Sequence, residues 1–83
     1  MKIPVRYFAS VREALGKADE SVDTTAPTLA VLRDELIARG EPYASALARG
    51  KAVRMALDHT MSAEDATLHD GVEVAFFPPV TGG

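Results

Sequence analysis

Side chains able to do chemistry are scarce in this sequence. His59 and His69 fall in turn-like segments, and nothing in their spacing makes a ligand set or an acid–base couple, so both read as solvated turn residues. Asp58, Glu64, Asp65 and Asp70 crowd the same stretch. Paired carboxylates can move protons, but carboxylates also cap turns, and that plainer reading is adopted here. Ser10, Ser21, Ser45 and Ser62 lie in no strand–serine–helix elbow, and the six glycines form no phosphate loop. The chain has no cysteine, which removes disulfides, thiolate zinc sites, cysteine-bound clusters and thiol nucleophiles. No metal site is expected.

The remaining candidate is the run "FFPPVTGG". Pro78 and Pro79 lack N–H donors and favour an extended path, so residues 78–83 can project by about 20 Å when fully extended. Val80 and Thr81 continue that path. Gly82 and Gly83 carry no Cβ and can thread a channel too narrow for other residues. The group at the tip is the α-carboxylate of Gly83, a poor electrophile until a partner enzyme adenylates it. AMP then becomes the leaving group and a nucleophile can attack an unhindered acyl carbon. A tail built for this purpose is expected to be mobile from Thr81 onward.

The elements that must present such a tail follow from periodicity. "KIPVRYF" alternates, with Ile3, Val5 and Tyr7 on one face and Pro4, Arg6 and Phe8 on the other, and reads as a strand. Ser10 is expected to cap a short helix, "VREALG", closed by Gly16. "ESVDT" reads as an edge strand. In "PTLAVLRDELIARGEP" Thr28 is the expected N-cap, and Leu29, Leu32 and Leu36 make the apolar stripe with Val31 and Ile37 beside it. Arg33, Asp34 and Arg39 are placed off the stripe, with Gly40 at C′ and Pro42 preventing continuation. "YASALARG" suggests one or two helical turns, and "KAVRMAL" a third strand. Asp70-Gly71 is a turn signal before the last strand, "VEVAFF", and a short extra strand can sit around Thr60. The sum is an α+β domain over residues 1–77, a mixed sheet covered on one face by the main helix, followed by a tail over residues 78–83.

Composition agrees with one small folded unit. The chain has 83 residues, of which 47% are apolar and 25% charged. No run reaches membrane-spanning length and no signal peptide is evident, so a cytoplasmic protein is expected. The net charge of −3 and the scattered arginines give no footprint for nucleic acid.

The segments "RYFASVREALG", "TLAVLRDELIARG" and "HDGVEVAFFPPVTGG", together with the length, resemble the ubiquitin-like β-grasp sulfur carriers, and most closely the small subunits of molybdopterin synthase. A bare diglycine is common to all ubiquitin-like carriers. The run "VAFFPPVTGG" is far more specific, and "FA..RE..G" adds to it, because the thiazole-pathway carriers usually lack that small helix. The resemblance implies that an activating enzyme uses ATP to turn Gly83 into an acyl adenylate, and that sulfur replaces AMP to leave a thiocarboxylate. The tail then enters the large synthase subunit, within a heterotetramer, and gives its sulfur to cyclic pyranopterin monophosphate. Catalytic residues belong to that subunit, so the chain is a carrier rather than an enzyme, with no tightly bound cofactor.

Two other readings use the same tail, a sulfur carrier for thiamin, cysteine or tRNA thiolation and a modifier that forms isopeptide bonds with lysines, and a third is a plain interaction domain whose tail is irrelevant. Alternation also puts Phe8 and Phe77 on the face away from the helix. With Met61 they form an expected partner surface, and Arg6, Arg12 or Arg39 are candidates for its rim. Pro4 fits poorly in an interior first strand, and its nitrogen is expected at a strand start or a bulge.

Overall fold

A computed structural model describes residues 1–79. The elements run β1 (Lys2–Tyr7), α1 (Ala9–Leu15), β2 (Asp19–Asp23), α2 (Leu29–Ile37), α3 (Tyr43–Ala46), β3 (Arg54–Leu57), β4 (Thr60–Met61) and β5 (Val74–Phe77). The sheet is mixed, in the order β2-β1-β5-β3-β4. β1 runs parallel to β5 and antiparallel to β2, while β3 is antiparallel to both β5 and β4. The expected α+β layering is therefore present, with the short strand at Thr60 included and "ESVDT" at an edge.

One face of the sheet makes the core. Ile3, Val5, Tyr7, Val22, Met55, Val74 and Phe76 point inward and meet Leu29, Leu32 and Leu36 of α2, with Val11 and Leu15 of α1 beside them. Tyr7 and Phe76, paired across β1 and β5, stack with ring centroids 6.1 Å apart. Thr28 caps α2 as expected, its hydroxyl accepting from the Val31 amide at 3.4 Å. Gly16 closes α1 at a φ of 73°, a left-handed conformation that glycine adopts without strain.

Several local expectations need correction. Ser10 lies inside α1 rather than before it. The N-cap is Phe8, which makes no side-chain cap bond. Helix α2 ends at Ile37 with Ala38 as C-cap, so Gly40, at a φ of 89°, lies one position beyond C′. Val31, placed beside the stripe, is instead exposed. The last strand begins at Val74, although Val72 is still buried. Arg33, placed off the stripe, is only 4% exposed.

Pro4 sits in the interior of β1, at neither a start nor a bulge. The Tyr7 amide bonds toward β2, to the Ala18 carbonyl, while the Phe8 amide bonds toward β5, to the Phe76 carbonyl. By alternation the Pro4 nitrogen faces the β5 side, where the ladder begins only at Val5 opposite Val74. No ladder donor is required of it there.

Candidate functional site

The outward face of the sheet is built from residues that alternate with the core. Across the strands one row reads Arg6, Ala75, Ala56 and Met61, and the next places Phe77 beside Arg54, with Phe8 flanking it. Alanines in the middle of the first row leave a shallow floor. Phe8 is 38% exposed and Met61 57%, while Phe77 is half-buried. Sequence alternation thus brings Phe8, Phe77 and Met61 to one side of the sheet. Phe8 is held there by a backbone turn. Ala9 has a φ of 49°, unusual for a residue other than glycine, and it swings the chain from β1 into α1.

Charged groups border this face. The Arg6 guanidinium carbon lies 5.2 Å from the Phe8 ring centroid, a cation–π placement, and Arg6 is 4.0 Å from Glu73. His59 Nε2 is 3.3 Å from the other Glu73 oxygen. Arg12 is exposed on α1. Arg39 does not belong to this rim: it lies on the helix side, 3.2 Å from Glu20 and 5.2 Å from the Tyr43 ring centroid.

The last strand leads directly to the tail. β5 ends at Phe77, and Pro78 and Pro79 follow, both half-buried. They line a cleft of about 330 Å³ with Ser10, Val11 and Ala14 of α1 and with Lys51, Ala52 and Val53. The base of the tail therefore runs alongside the domain rather than standing clear of it. Val80, Thr81, Gly82 and Gly83, expected to thread a partner's channel and to carry the reacting carboxylate, lie outside the described residues, as does the mobility expected from Thr81 onward.

The remaining titratable groups act as structural ties. Asp58 accepts from the Glu73 amide and Asp70 from the Lys2 amide. The His59 side chain is 80% exposed, and His69 contacts the Asp70 carbonyl. No group of three or more potential metal ligands occurs among the described residues. Glu64 is different, since it receives both Arg33 and Arg49. Sequence reasoning missed that arginine pair. The signal was in the spacing: Arg33 is four residues after Leu29 and three before Leu36, which puts it on the stripe.

A second missed cluster centres on Glu20. It accepts from Tyr7 at 2.8 Å, from Tyr43 at 2.6 Å and from Arg39 at 3.2 Å. Burial and the Glu20 carboxylate push the Tyr7 hydroxyl well above its ordinary range. Burial alone would raise the Glu20 carboxyl, but hydrogen bonds from Tyr43, Tyr7 and Arg39 and the Lys17 charge outweigh it and hold it below the usual value. An inward-facing tyrosine needs a partner for its hydroxyl, and that requirement was the available clue.

No helix among the described residues is long and apolar enough to cross a membrane. Comparison with known proteins agrees with this architecture. The ThiS family model matches residues 5–83. The molybdopterin synthase sulfur carrier subunit of Escherichia coli (strain K12) is 44% identical over 81 residues, 98% of this chain and 99% of that one. Small archaeal modifier protein 1 of Haloferax volcanii superposes with a TM-score of 0.75 at 21% identity, over 95% of this chain and 98% of its own. A complex of subunits 1 and 2 of the molybdopterin-converting factor from Helicobacter pylori 26695 supplies a chain with a TM-score of 0.67 and 24% identity, all of both chains being covered. These two likenesses establish the ubiquitin-like β-grasp fold.

Proposed function

The chain belongs to the ThiS family, and from that premise we propose that it is a sulfur carrier, the small subunit of a molybdopterin synthase. One observation carries the reading. The strand whose last residue, Phe77, lies on the uncovered apolar face continues directly into Pro78, Pro79 and the diglycine sequence. A protein that docks on that face is thus adjacent to the start of the tail. Recognition and delivery share one end of one strand.

In this reading an adenylating enzyme joins the Gly83 carboxylate to the α-phosphorus of ATP and releases pyrophosphate. A sulfur nucleophile then displaces AMP. The resulting thiocarboxylate enters the large subunit, whose residues carry out transfer to cyclic pyranopterin monophosphate. Two carriers serve each dithiolene, because each brings one sulfur. The chain contributes a docking face and an acyl group and no acid, base or metal. The expected setting is the cytoplasm, with the activating enzyme and the large subunit as partners.

Intact-mass measurement tests the reading. After incubation with the activating enzyme, ATP, a persulfide donor and a thiol reductant that cleaves the acyl disulfide first formed, the chain should gain the mass of one oxygen-to-sulfur exchange, located at Gly83. The product should then convert cyclic pyranopterin monophosphate to molybdopterin in the presence of the large subunit. An unchanged mass with an activating enzyme known to be competent overturns the reading, and adducts on lysines redirect it toward protein modification.

A further inference from the structure

Residues 47–53 connect α3 to β3 without regular structure. Their backbone hydrogen bonds are local: Leu47 N to the Tyr43 carbonyl, Lys51 N to the Ala48 carbonyl and Val53 N to the Lys51 carbonyl. Leu47 is buried in the core and Val53 packs against it at the two ends of the segment, and between them a pair of arginines working in opposite directions ties the backbone to the domain. Arg33, on α2, donates from Nε to the Leu47 carbonyl at 2.8 Å and from Nη2 to the Ala48 carbonyl at 2.9 Å, with the Lys51 carbonyl at 3.4 Å. Arg49, within the segment, reaches back to Asp34 at 2.9 Å and to the Ala30 carbonyl at 3.0 Å. Both guanidinium groups meet at Glu64 Oε1.

A buried cation is a poor device for stability alone, because its desolvation offsets most of what its partners return. A planar fork that holds several carbonyls at once is a good device for fixing the shape of a loop. The loop held here is one wall of the cleft that also contains Pro78 and Pro79. Lys51, whose carbonyl Arg33 approaches, and its neighbours Ala52 and Val53 are the residues that form that wall. Building on the sulfur-carrier reading, we infer that Arg33 is a positioning residue. Through residues 47–53 it sets the wall beside Pro78 and Pro79, and hence the direction in which the chain leaves the domain at the base of its tail. Arg33 touches no reacting atom. Its effect is on how well the terminal carboxylate is aimed for adenylation once the outward sheet face has docked.

The test compares Arg33→Met and Arg33→Lys with wild type in two measurements. The first is the set of nuclear Overhauser contacts between the Val53 methyls and the Pro78 and Pro79 ring protons. The second is steady-state pyrophosphate release by the adenylating enzyme as carrier concentration is varied, with sulfide present to displace AMP so that turnover continues. The docking face is untouched, so KM should stay within about twofold, while misaiming lowers kcat by about tenfold or more in Arg33→Met. Arg33→Lys should fall between Met and wild type, since an ammonium can serve only some of the carbonyls. The proline contacts should weaken in the same order. A folded Arg33→Met protein with wild-type kcat and intact proline contacts overturns the inference. If Arg33→Met does not fold, Arg33→Lys and Arg33→Gln, which keep a polar donor for the Leu47 and Ala48 carbonyls, decide it by the same two criteria. If wild type itself releases no pyrophosphate, the sulfur-carrier reading fails, and the proline contacts alone then decide whether Arg33 shapes this wall.

Discussion

The two faces of this sheet are made by the same strands and differ in almost everything else. The inward face carries Ile3, Val5, Tyr7, Val74 and Phe76, each with at most 1% of its surface exposed, and its polar groups are paired. The outward face carries Phe8, Ala75, Phe77, Ala56 and Met61, with no layer over it among the described residues. Neighbours in sequence thus have opposite duties. Tyr7 and Phe76 hold the domain together, while Phe8 and Phe77 are available to something else. In a domain this small, with little stability to spare, leaving Phe8 and Met61 exposed and Phe77 only half-buried makes sense when a partner covers them.

The sharpest separation of duties lies beyond the sheet. Gly83→Ala, or deletion of Gly83, should abolish sulfur delivery while leaving the thermal midpoint unchanged, because the chemistry uses the last acyl carbon and a channel with no room for a Cβ. Full delivery by a chain extended past Gly83, with no trimming protease present, would contradict that division.

Between the faces the test is a pair of adjacent substitutions. Phe76→Ala removes a fully buried ring that stacks on Tyr7, and should cost about 3–5 kcal/mol of stability by chemical denaturation. Phe77→Ala should cost far less stability, yet weaken binding to the large subunit and the activating enzyme by about 2 kcal/mol, as measured by calorimetry. Phe8→Ala should resemble Phe77→Ala. If Phe77→Ala instead collapses the fold and leaves affinity per folded molecule unchanged, the outward face is core.

The contrast also explains which parts were legible in the sequence. Period-two alternation assigned Ile3, Val5, Tyr7, Phe8, Phe76 and Phe77 to their faces, because alternation in a strand is geometric and needs no knowledge of partners. The diglycine tail and the family resemblance followed from "VAFFPPVTGG" and the segments before it, whereas the strand order comes from the structure. What escaped was long-range polar chemistry. Arg33 was judged by its charge rather than by its place on the helix, and its partners are carbonyls about fifteen residues away in a segment with no pattern. In sequence Glu20 is one residue of a polar edge strand, whereas the fold brings Tyr7 and Tyr43 to it. Ser10 fails as a cap for a local reason: the turn at Ala9 starts the helix two residues earlier than a Ser10 cap would.

The Glu20 cluster predicts how the inward face responds to acid. The folded carboxyl is held below its unfolded value near 4.3, so its contribution is fully present above that pH and is lost as pH falls toward the folded value. Stability should therefore decline below about pH 4.3, and Glu20→Gln should flatten that decline while lowering stability at neutral pH by about 1–2 kcal/mol. An unchanged acid slope in Glu20→Gln would assign the decline to other carboxylates. The outward face has no comparable buried cluster, so F77A should keep the wild-type slope.

The smallest expected effect belongs to the hairpin between β3 and β4. Leu57 pairs with Thr60, leaving Asp58 and His59 as a two-residue loop with φ values of 45° and 69°. That is the left-handed pair of a type I′ turn, which favours Asn or Asp first and Gly second. Asp58 suits its position and is further held by the Glu73 amide. His59 is the poor fit. His59→Gly relieves its backbone and removes only an exposed contact to Glu73, worth about 0–1 kcal/mol at most. The two effects oppose each other, and turn relief of about 1 kcal/mol should leave a net gain of a few tenths, read as a slightly raised denaturation midpoint. Because Met61 stays in register opposite Ala56, affinity for the large subunit should not change. A loss of affinity in His59→Gly at unchanged or higher stability would instead move His59 from the turn into the docking surface and extend the outward face to its edge.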